Sequence, residues 1–194
     1  MRPADPEKLP RILASATRLF AERGFHAVRM EDIATQAGVA KGTLYLFFKD
    51  KERLFRAMVA DAMGRGLDEV ESRLADVPGA RDRLRIVIDE SVRFSDLYPH
   101  YLEVLHQLDS TPPEKRDADI EAKRARYIGL IVETLRSLEA DGVAPIGQPE
   151  RATLALLGML HRIMVATPRP WPDDLADWIE RQFLYGLAGG PGQC

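Results

Sequence analysis

Residues 30–48 read MEDIATQAGVAKGTLYLFF, and this stretch decides the architecture of the amino-terminal part of the chain. Apolar side chains recur at steps of three and four on both sides of Gly38, which predicts two short helices over 30–37 and 41–48. Gly38 is able to adopt a left-handed turn, and Val39 is placed to fill the angle between the two helices. The pattern therefore predicts a helix-turn-helix.

Helical periodicity also dominates the rest of the chain. Gly24 is predicted to end a first helix whose buried face is formed by Ile12, Leu13, Ala16, Leu19 and Phe20. Asp50 is predicted to cap a fourth helix over 51–74. Further helices are predicted over 81–97, 99–108, 114–140, 150–166 and 173–187. Because no stretch alternates with the period of a strand, the sequence predicts an all-α fold of about nine helices.

The 194 residues are 45% hydrophobic and 29% charged, which is typical of a globular chain with a sizeable core. The best apolar run, residues 154–160, is far shorter than the roughly 18–20 residues that a membrane span needs. The opening residues lack an apolar signal segment, and the single cysteine, Cys194, cannot form an internal disulfide or a thiolate metal site. We therefore expect a cytoplasmic protein.

The net charge is −3, but the charges are unevenly distributed along the chain. The first 56 residues carry a balance of +4, whereas the remaining residues carry a balance of −7. A basic amino-terminal segment followed by an acidic remainder suggests that the amino-terminal segment binds a polyanion. A small basic excess is also common on an ordinary solvated surface.

Many spaced positions in about the first 55 residues follow one pattern: Ile12, Leu13, Ala16, Leu19, Phe20, Gly24 and Phe25, then Ile33, Ala34, Ala37, Gly38, Val39, Gly42, Thr43, Leu44, Tyr45, Phe48, Lys51, Glu52 and Leu54. This pattern closely resembles the amino-terminal domain of TetR-family transcriptional regulators, while the remainder of the chain matches that family in helix count and layout. The resemblance implies a helix-turn-helix domain over 1–52, an effector-binding and dimerisation domain over 53–190, and a tail over 191–194.

A protein of this family is expected to be a regulator and not an enzyme. The resemblance implies a homodimer that binds a palindromic operator in double-stranded DNA, acts as a repressor, and is released by a small hydrophobic effector, with no cofactor. Two other classes remain open from the residues: a helical metal-binding protein or enzyme, and a helix-turn-helix used only as a protein-interaction module. Retained iron or zinc would favour the first, and failure to bind any DNA at low salt would favour the second.

A recognition helix brings its first residues into the major groove while flanking donors hold phosphates. Lys41 lies at the start of that helix, Gly42 lets the backbone approach DNA closely, and Thr43 offers a hydroxyl and a methyl group. Tyr45 resembles the family tyrosine that bonds a phosphate. The predicted DNA-binding residues are Arg29, Lys41, Gly42, Thr43, Tyr45, Leu46, Phe47, Lys49 and Lys51, the last near the amino terminus of the fourth helix.

Three positions depart from the family pattern. A hydroxyl is usual before the second helix, where this chain has Val28 and Arg29, and Ala40 replaces a frequent cap at the third helix. Phe47 replaces a Tyr or His that would hold a phosphate, and Arg29 is positioned to supply that contact by charge. Leu46 and Phe47 are expected to touch thymine methyls or sugar carbons, unless Phe47 packs against the first helix.

The two carboxy-terminal helices carry more apolar surface than one core-facing stripe requires, and the resemblance places the dimer interface there. The predicted interface residues are Leu156, Leu160, Ile163, Leu175, Trp178, Ile179, Phe183 and Leu187. The resemblance also implies an effector cavity enclosed by the fifth to eighth helices. Its candidate lining residues, all of which also lie at core spacing, are Met58, Phe94, Tyr101, Leu105, His106, Tyr127, Ile131, Leu157, His161 and Met164.

Glu103 and His106 have the spacing of one half of a di-iron motif, but no second Glu-x-x-His pair occurs in the sequence. The sequence also contains no His-Glu-x-x-His motif, no phosphate-binding loop and no nucleophile elbow. We therefore predict neither a metal site nor catalysis.

Overall fold

The computed structural model describes residues 7–98 and 116–186. Within those two ranges the chain forms eight α-helices and no β-strand, which confirms the predicted all-α fold. The helices are α1 (Lys8–Ala27), α2 (Met30–Gln36), α3 (Lys41–Phe47), α4 (Lys51–Leu74), α5 (Ala80–Leu97), α6 (Ala118–Ala140), α7 (Pro149–Ala166) and α8 (Leu175–Tyr185). The helix predicted over 99–108 lies outside the described residues.

The described chain divides into two compact units, and the division falls within α4. The first unit contains residues 7–65 together with 98 and 116–121. The second contains Gly66–Leu97 and 122–186.

In the first unit, α1 supplies the apolar face on which the core is built. All five positions predicted for that face are buried: Ile12, Leu13, Ala16, Leu19 and Phe20. The helix α2 packs on α1, and α3 packs on α2, with Ile33 and Leu44 fully buried. At Gly24 the φ angle is +78°, so the predicted stop is a break in α1 three residues before its end.

In the second unit, α5 packs on both α7 and α8. Leu84, Val87 and Ile88 form its fully buried face. The other helices of the unit contribute buried apolar side chains, among them Leu135, Leu138, Leu156, Leu160 and Ile179.

Two buried glutamates link α5 to its neighbours in the second unit. Glu90 on α5 is 4% exposed and is paired with Arg73 near the end of α4 and with Arg93, whose Nη2 lies 2.6 Å from its Oε2. Glu180 on α8 is also 4% exposed and accepts a hydrogen bond from Nε of Arg81 at 2.8 Å. Because an unpaired buried carboxylate is strongly destabilising, we infer that these arginines are needed for the packing of α5.

No helix among the described residues is long and apolar enough to cross a membrane. Within the same part of the chain, no group of three or more His, Cys, Asp or Glu side chains is placed to hold a metal ion. The Glu103 and His106 pair lies outside the described residues.

Candidate nucleic-acid interface

The turn between α2 and α3 ends α2 with a left-handed glycine, as predicted. Gly38 has a φ of +64°, and its N–H donates to the Thr35 carbonyl at 3.2 Å. The Val39 N–H donates to the Ala34 carbonyl at 3.0 Å, which completes a Schellman motif. Because a side chain at Gly38 would be strained at this φ, the glycine sets the direction in which α3 leaves α2.

Helix α3 buries one face and exposes the other. Leu44 and Phe48 are buried, and Leu46 is 87% exposed. The Phe47 ring is half-buried, with its centre 6.4 Å from the centre of the Phe48 ring. The other exposed or half-buried residues of the helix are Lys41, Gly42, Thr43 and Tyr45. The outer face of α3 is therefore available to a partner.

The fold itself gives no reason for glycine at position 42. A Cβ atom built on Gly42 would meet no heavy atom within 4 Å, and its backbone does not need a positive φ. Glycine within a helix is less stable than alanine by roughly 0.5–1 kcal/mol, so internal packing would favour a side chain here. The absence of a side chain is instead suited to close approach of another molecule.

Lys41, the first residue of α3, is paired with a carboxylate. Its Nζ lies 2.5 Å from Oε1 of Glu31 in the first turn of α2, and 5.8 Å from the centre of the Tyr45 ring. The hydrogen bond between the two side chains lowers the pKa of Glu31 and raises the pKa of Lys41, so both are charged at neutral pH. Glu31 is missing from the predicted site, and its only sequence signal is an acidic residue ten positions before Lys41.

The three helices that follow α1 differ in how their first turns are capped. At α2, the Arg29 N–H donates to Oδ2 of Asp32 at 2.9 Å, which is the half of a capping box that the third helical residue supplies. At α3, Ala40 precedes the helix with no side-chain cap, as expected. At α4, the Arg53 N–H donates to Oδ1 of Asp50 at 2.7 Å, which confirms the predicted cap.

Lys51 is engaged within the chain and not free for the predicted phosphate contact. Its Nζ donates to the carbonyl oxygens of Phe25 at 2.7 Å and Val28 at 2.9 Å, and a third carbonyl, that of His26, lies at 3.4 Å. The ammonium also lies 4.5 Å from the centre of the Phe25 ring. All three N–H donors are thus used at the carboxy-terminal end of α1, where a positive charge stabilises the last carbonyls. We therefore reassign Lys51 from a phosphate contact to a cap of α1.

Two other predicted phosphate contacts remain available to solvent. Lys49, between α3 and α4, is exposed and has no hydrogen bond or ion pair with any described residue. Arg29, just before α2, is also exposed.

The predicted effector-lining residues differ in burial. Met58, Ile131 and Met164 are buried. The half-buried residues are Phe94, Tyr127, Leu157 and His161. The remaining three, Tyr101, Leu105 and His106, lie outside the described residues. The lining therefore stays a prediction.

Tyr127 has a polar partner that the sequence did not indicate. Its hydroxyl lies 2.6 Å from Oγ of Ser91 on α5, and the Ser91 hydroxyl donates to the Val87 carbonyl at 2.6 Å. Burial raises the pKa of Tyr127 to about 12, so the phenol is protonated at neutral pH.

The predicted dimer-interface residues separate into two groups. Leu156, Leu160, Leu175 and Ile179 are buried within the second unit, so we correct these four from interface residues to core residues. Ile163 and Phe183 are half-buried, Trp178 is exposed, and Leu187 lies outside the described residues. Leu154 and Val165 of α7, which were not predicted, are exposed apolar side chains as well.

Comparisons with known proteins match most of the chain. Residues 12–58 match the family described as bacterial regulatory proteins, tetR family, and residues 78–165 match the tetracyclin repressor-like C-terminal domain. The fatty acid metabolism regulator protein of Bacillus subtilis is 34% identical over 118 residues, which cover 60% of this chain and 57% of that protein. The match thus spans little more than half the length of that relative.

Two solved structures are similar in fold. The fatty acid degradation regulator FadR from Bacillus halodurans has a TM-score of 0.77 at 23% identity, over 94% of this chain and 97% of that one. The regulator FadR from Bacillus subtilis, in complex with stearoyl-CoA, has a TM-score of 0.71 at 24% identity, over 91% of this chain and 98% of that one.

Proposed function

Because the chain belongs to the TetR family of bacterial regulatory proteins, we propose that it is a transcriptional regulator that binds operator DNA as a homodimer and acts as a repressor. The observation that carries the proposal is the outer face of α3. Its side chains are exposed after a fixed turn, and Gly42 leaves the backbone open where no internal contact requires it. A face of this kind suits the major groove.

Within this proposal, base edges are read from the first turn of α3 and phosphates are held around it. Lys41 and Thr43 supply donors, and Leu46 supplies an apolar contact of the kind that thymine methyls accept. Arg29, Tyr45 and Lys49 would hold phosphates, since they lie exposed near α3. Phe47 would touch sugar or base carbons with its exposed part. The reassignment of Lys51 removes it from this set.

The dimer is proposed to form through α7 and α8, on a face revised from the sequence-based one. Leu154, Gly158 and Val165 follow one another at spacings of four and seven on α7, which puts them on one exposed stripe. A Cβ at Gly158 would meet no atom within 4 Å, so a second helix is free to approach closely there. Trp178 of α8 adds a large exposed apolar surface. An isologous contact of this kind suits the two-fold symmetry of a palindromic operator.

A small hydrophobic effector is proposed to release the protein from its operator. The name of the Bacillus subtilis relative points to fatty acid metabolism, and the solved regulator of similar fold binds stearoyl-CoA. We propose a long acyl chain, presented as a thioester, as the first class to test. Such a ligand shifts the protein off DNA only if it binds the released conformation more tightly than the DNA-bound one.

Selection from a random duplex library tests the proposed DNA binding. The expected result is a palindromic consensus sequence, with affinity that falls as salt rises. Stearoyl-CoA should then release the selected duplex, whereas free coenzyme A should not. Enrichment of no sequence by a folded protein at low salt would contradict the proposed function, and release by neither compound would contradict only the effector class.

A further inference from the structure

A carboxylate on the proposed DNA-binding surface requires an explanation. Glu31 is half-exposed in the first turn of α2, beside the start of α3. It would repel nearby phosphates, because DNA is densely negative and its affinity for proteins comes largely from neutralising cations. Stability explains the residue only in small part, since an ion pair between exposed side chains contributes little to folding and a carboxylate in the first turn of a helix adds roughly 0.3–1 kcal/mol.

The partner of Glu31 lies at the end of α3 that the proposed docking brings to the base edges. Lys41 is the first residue of α3, and its side chain is 62% exposed while its Nζ lies 2.5 Å from the Glu31 carboxylate. One of its three N–H donors is used by Glu31, which leaves two for acceptors in the groove. Guanine presents two acceptors on its major-groove edge, O6 and N7, and lysine is one of the side chains that reads them.

We propose that Glu31 is a specificity-determining residue, which orients the Lys41 ammonium towards base edges and cancels its charge towards phosphates. This inference rests on the proposed function. Lys41 then contributes to the affinity for the operator and little to the affinity for DNA of any other sequence. A carboxylate that slightly weakens binding to all DNA thus increases the ratio of the affinity for the operator to the affinity for other sequences.

The salt dependence of binding separates this role from simple repulsion. Each cation that neutralises a phosphate adds about 0.9 to the slope of log affinity against log salt. A lysine already neutralised by a carboxylate adds nothing to that slope on random DNA. The same lysine, freed from its carboxylate, should neutralise about one phosphate and so add about 0.9 to the slope.

The test measures binding of four proteins to a short random-sequence duplex between about 50 and 200 mM salt: the natural chain, Glu31→Gln, Lys41→Ala and the double variant. In the natural background, Lys41→Ala removes no phosphate contact but leaves Glu31 unpaired, so it should lower the slope by clearly less than about 0.9. In the Glu31→Gln background, it should lower the slope by about 0.9. Glu31→Gln alone should raise the random-DNA affinity several-fold and lower the ratio of operator affinity to random-DNA affinity.

Asp32→Asn provides the matched control. It removes the negative charge of the neighbouring residue, whose carboxylate caps α2 and is not paired with Lys41. It should not make the slope sensitive to Lys41→Ala. The inference is overturned if Lys41→Ala lowers the salt slope equally in the natural and the Glu31→Gln backgrounds. It is also overturned if Asp32→Asn makes the slope as sensitive to Lys41→Ala as Glu31→Gln does. Thermal melting confirms that each variant is folded. Failure of the folded natural chain to bind any duplex would instead overturn the proposed function.

Discussion

Replacing Gly42 by alanine should stabilise the protein and weaken its binding to DNA. Gly42 is the second residue of α3, it has no left-handed backbone, and a Cβ there would meet nothing within 4 Å. Alanine restricts the unfolded chain more than glycine does, so the free energy of unfolding should rise by roughly 0.5–1 kcal/mol. For a chain of this length, that corresponds to an increase in Tm of roughly 1–4 °C.

The loss of DNA binding has a different origin. The added methyl group stands on the outer face of α3, where the proposal brings the backbone against the groove, so the helix must move outward. We expect operator affinity to fall at least about tenfold, which is about 1.4 kcal/mol. The assay pairs thermal melting with fluorescence anisotropy on a selected operator duplex.

Gly129→Ala is the matched control for this prediction. Gly129 lies within α6, and a Cβ there would also meet nothing within 4 Å. The control should raise Tm in the same way and leave operator affinity unchanged. If Gly42→Ala raised Tm and bound the operator as tightly as the natural chain, the backbone of α3 would not approach DNA closely and the proposed docking would be wrong.

Three further outcomes are expected. Lys51→Met should lower the free energy of unfolding by roughly 2 kcal/mol, because charged hydrogen bonds to α1 are lost. It should leave the salt slope of DNA binding unchanged, and a slope lowered by about 0.9 would restore Lys51 as a phosphate contact. Leu154→Glu combined with Val165→Glu should yield a monomer by sedimentation, whereas Leu97→Glu, at another exposed leucine, should not; a dimer in both variants would place the interface elsewhere. The pKa of Tyr127 is about 12 in the folded state, above the ordinary value of 10 that applies to the unfolded chain. Between about pH 10 and pH 12 the folded state therefore binds more protons than the unfolded state, so the free energy of unfolding falls as the pH rises through this range. Urea titrations should show a smaller fall for Tyr127→Phe, and an equal fall would contradict the assignment.

Local signals in the sequence predict most of the first unit. The buried face of α1, the left-handed Gly38 and the Asp50 cap each depend on residues within a few positions of one another. The partners of Lys51 lie 23 to 26 residues away in the chain, and no local pattern marks them. The pairing of Glu31 with Lys41 likewise depends on the turn that brings α2 and α3 together.

The dimer face shows a second limit of sequence patterns. The helix α7 is apolar on more than one side, so helical spacing cannot distinguish the stripe that enters the core from the stripe that stays exposed. The predicted choice of Leu156 and Leu160 identified the core stripe. The packing of α5 against α7 buries that stripe and leaves Leu154 and Val165 outside. Which side faces inward is thus decided by a neighbouring helix and not by the composition of α7.

The placement of charges in the first unit also indicates that operator binding requires dimerisation. Many of its cations are already engaged: Arg18 with Glu22, Lys41 with Glu31, Arg53 with Asp50, Arg56 with Glu52, and Lys51 with carbonyls. Of the eleven Lys and Arg side chains among residues 1–56, these five are therefore less available to phosphates. A single copy that holds few phosphates binds DNA weakly, because affinity depends steeply on the number of neutralised phosphates. Two copies on one operator double that number and add a second set of base contacts, so operator binding should depend on dimerisation more strongly than the number of Lys and Arg residues in this segment suggests.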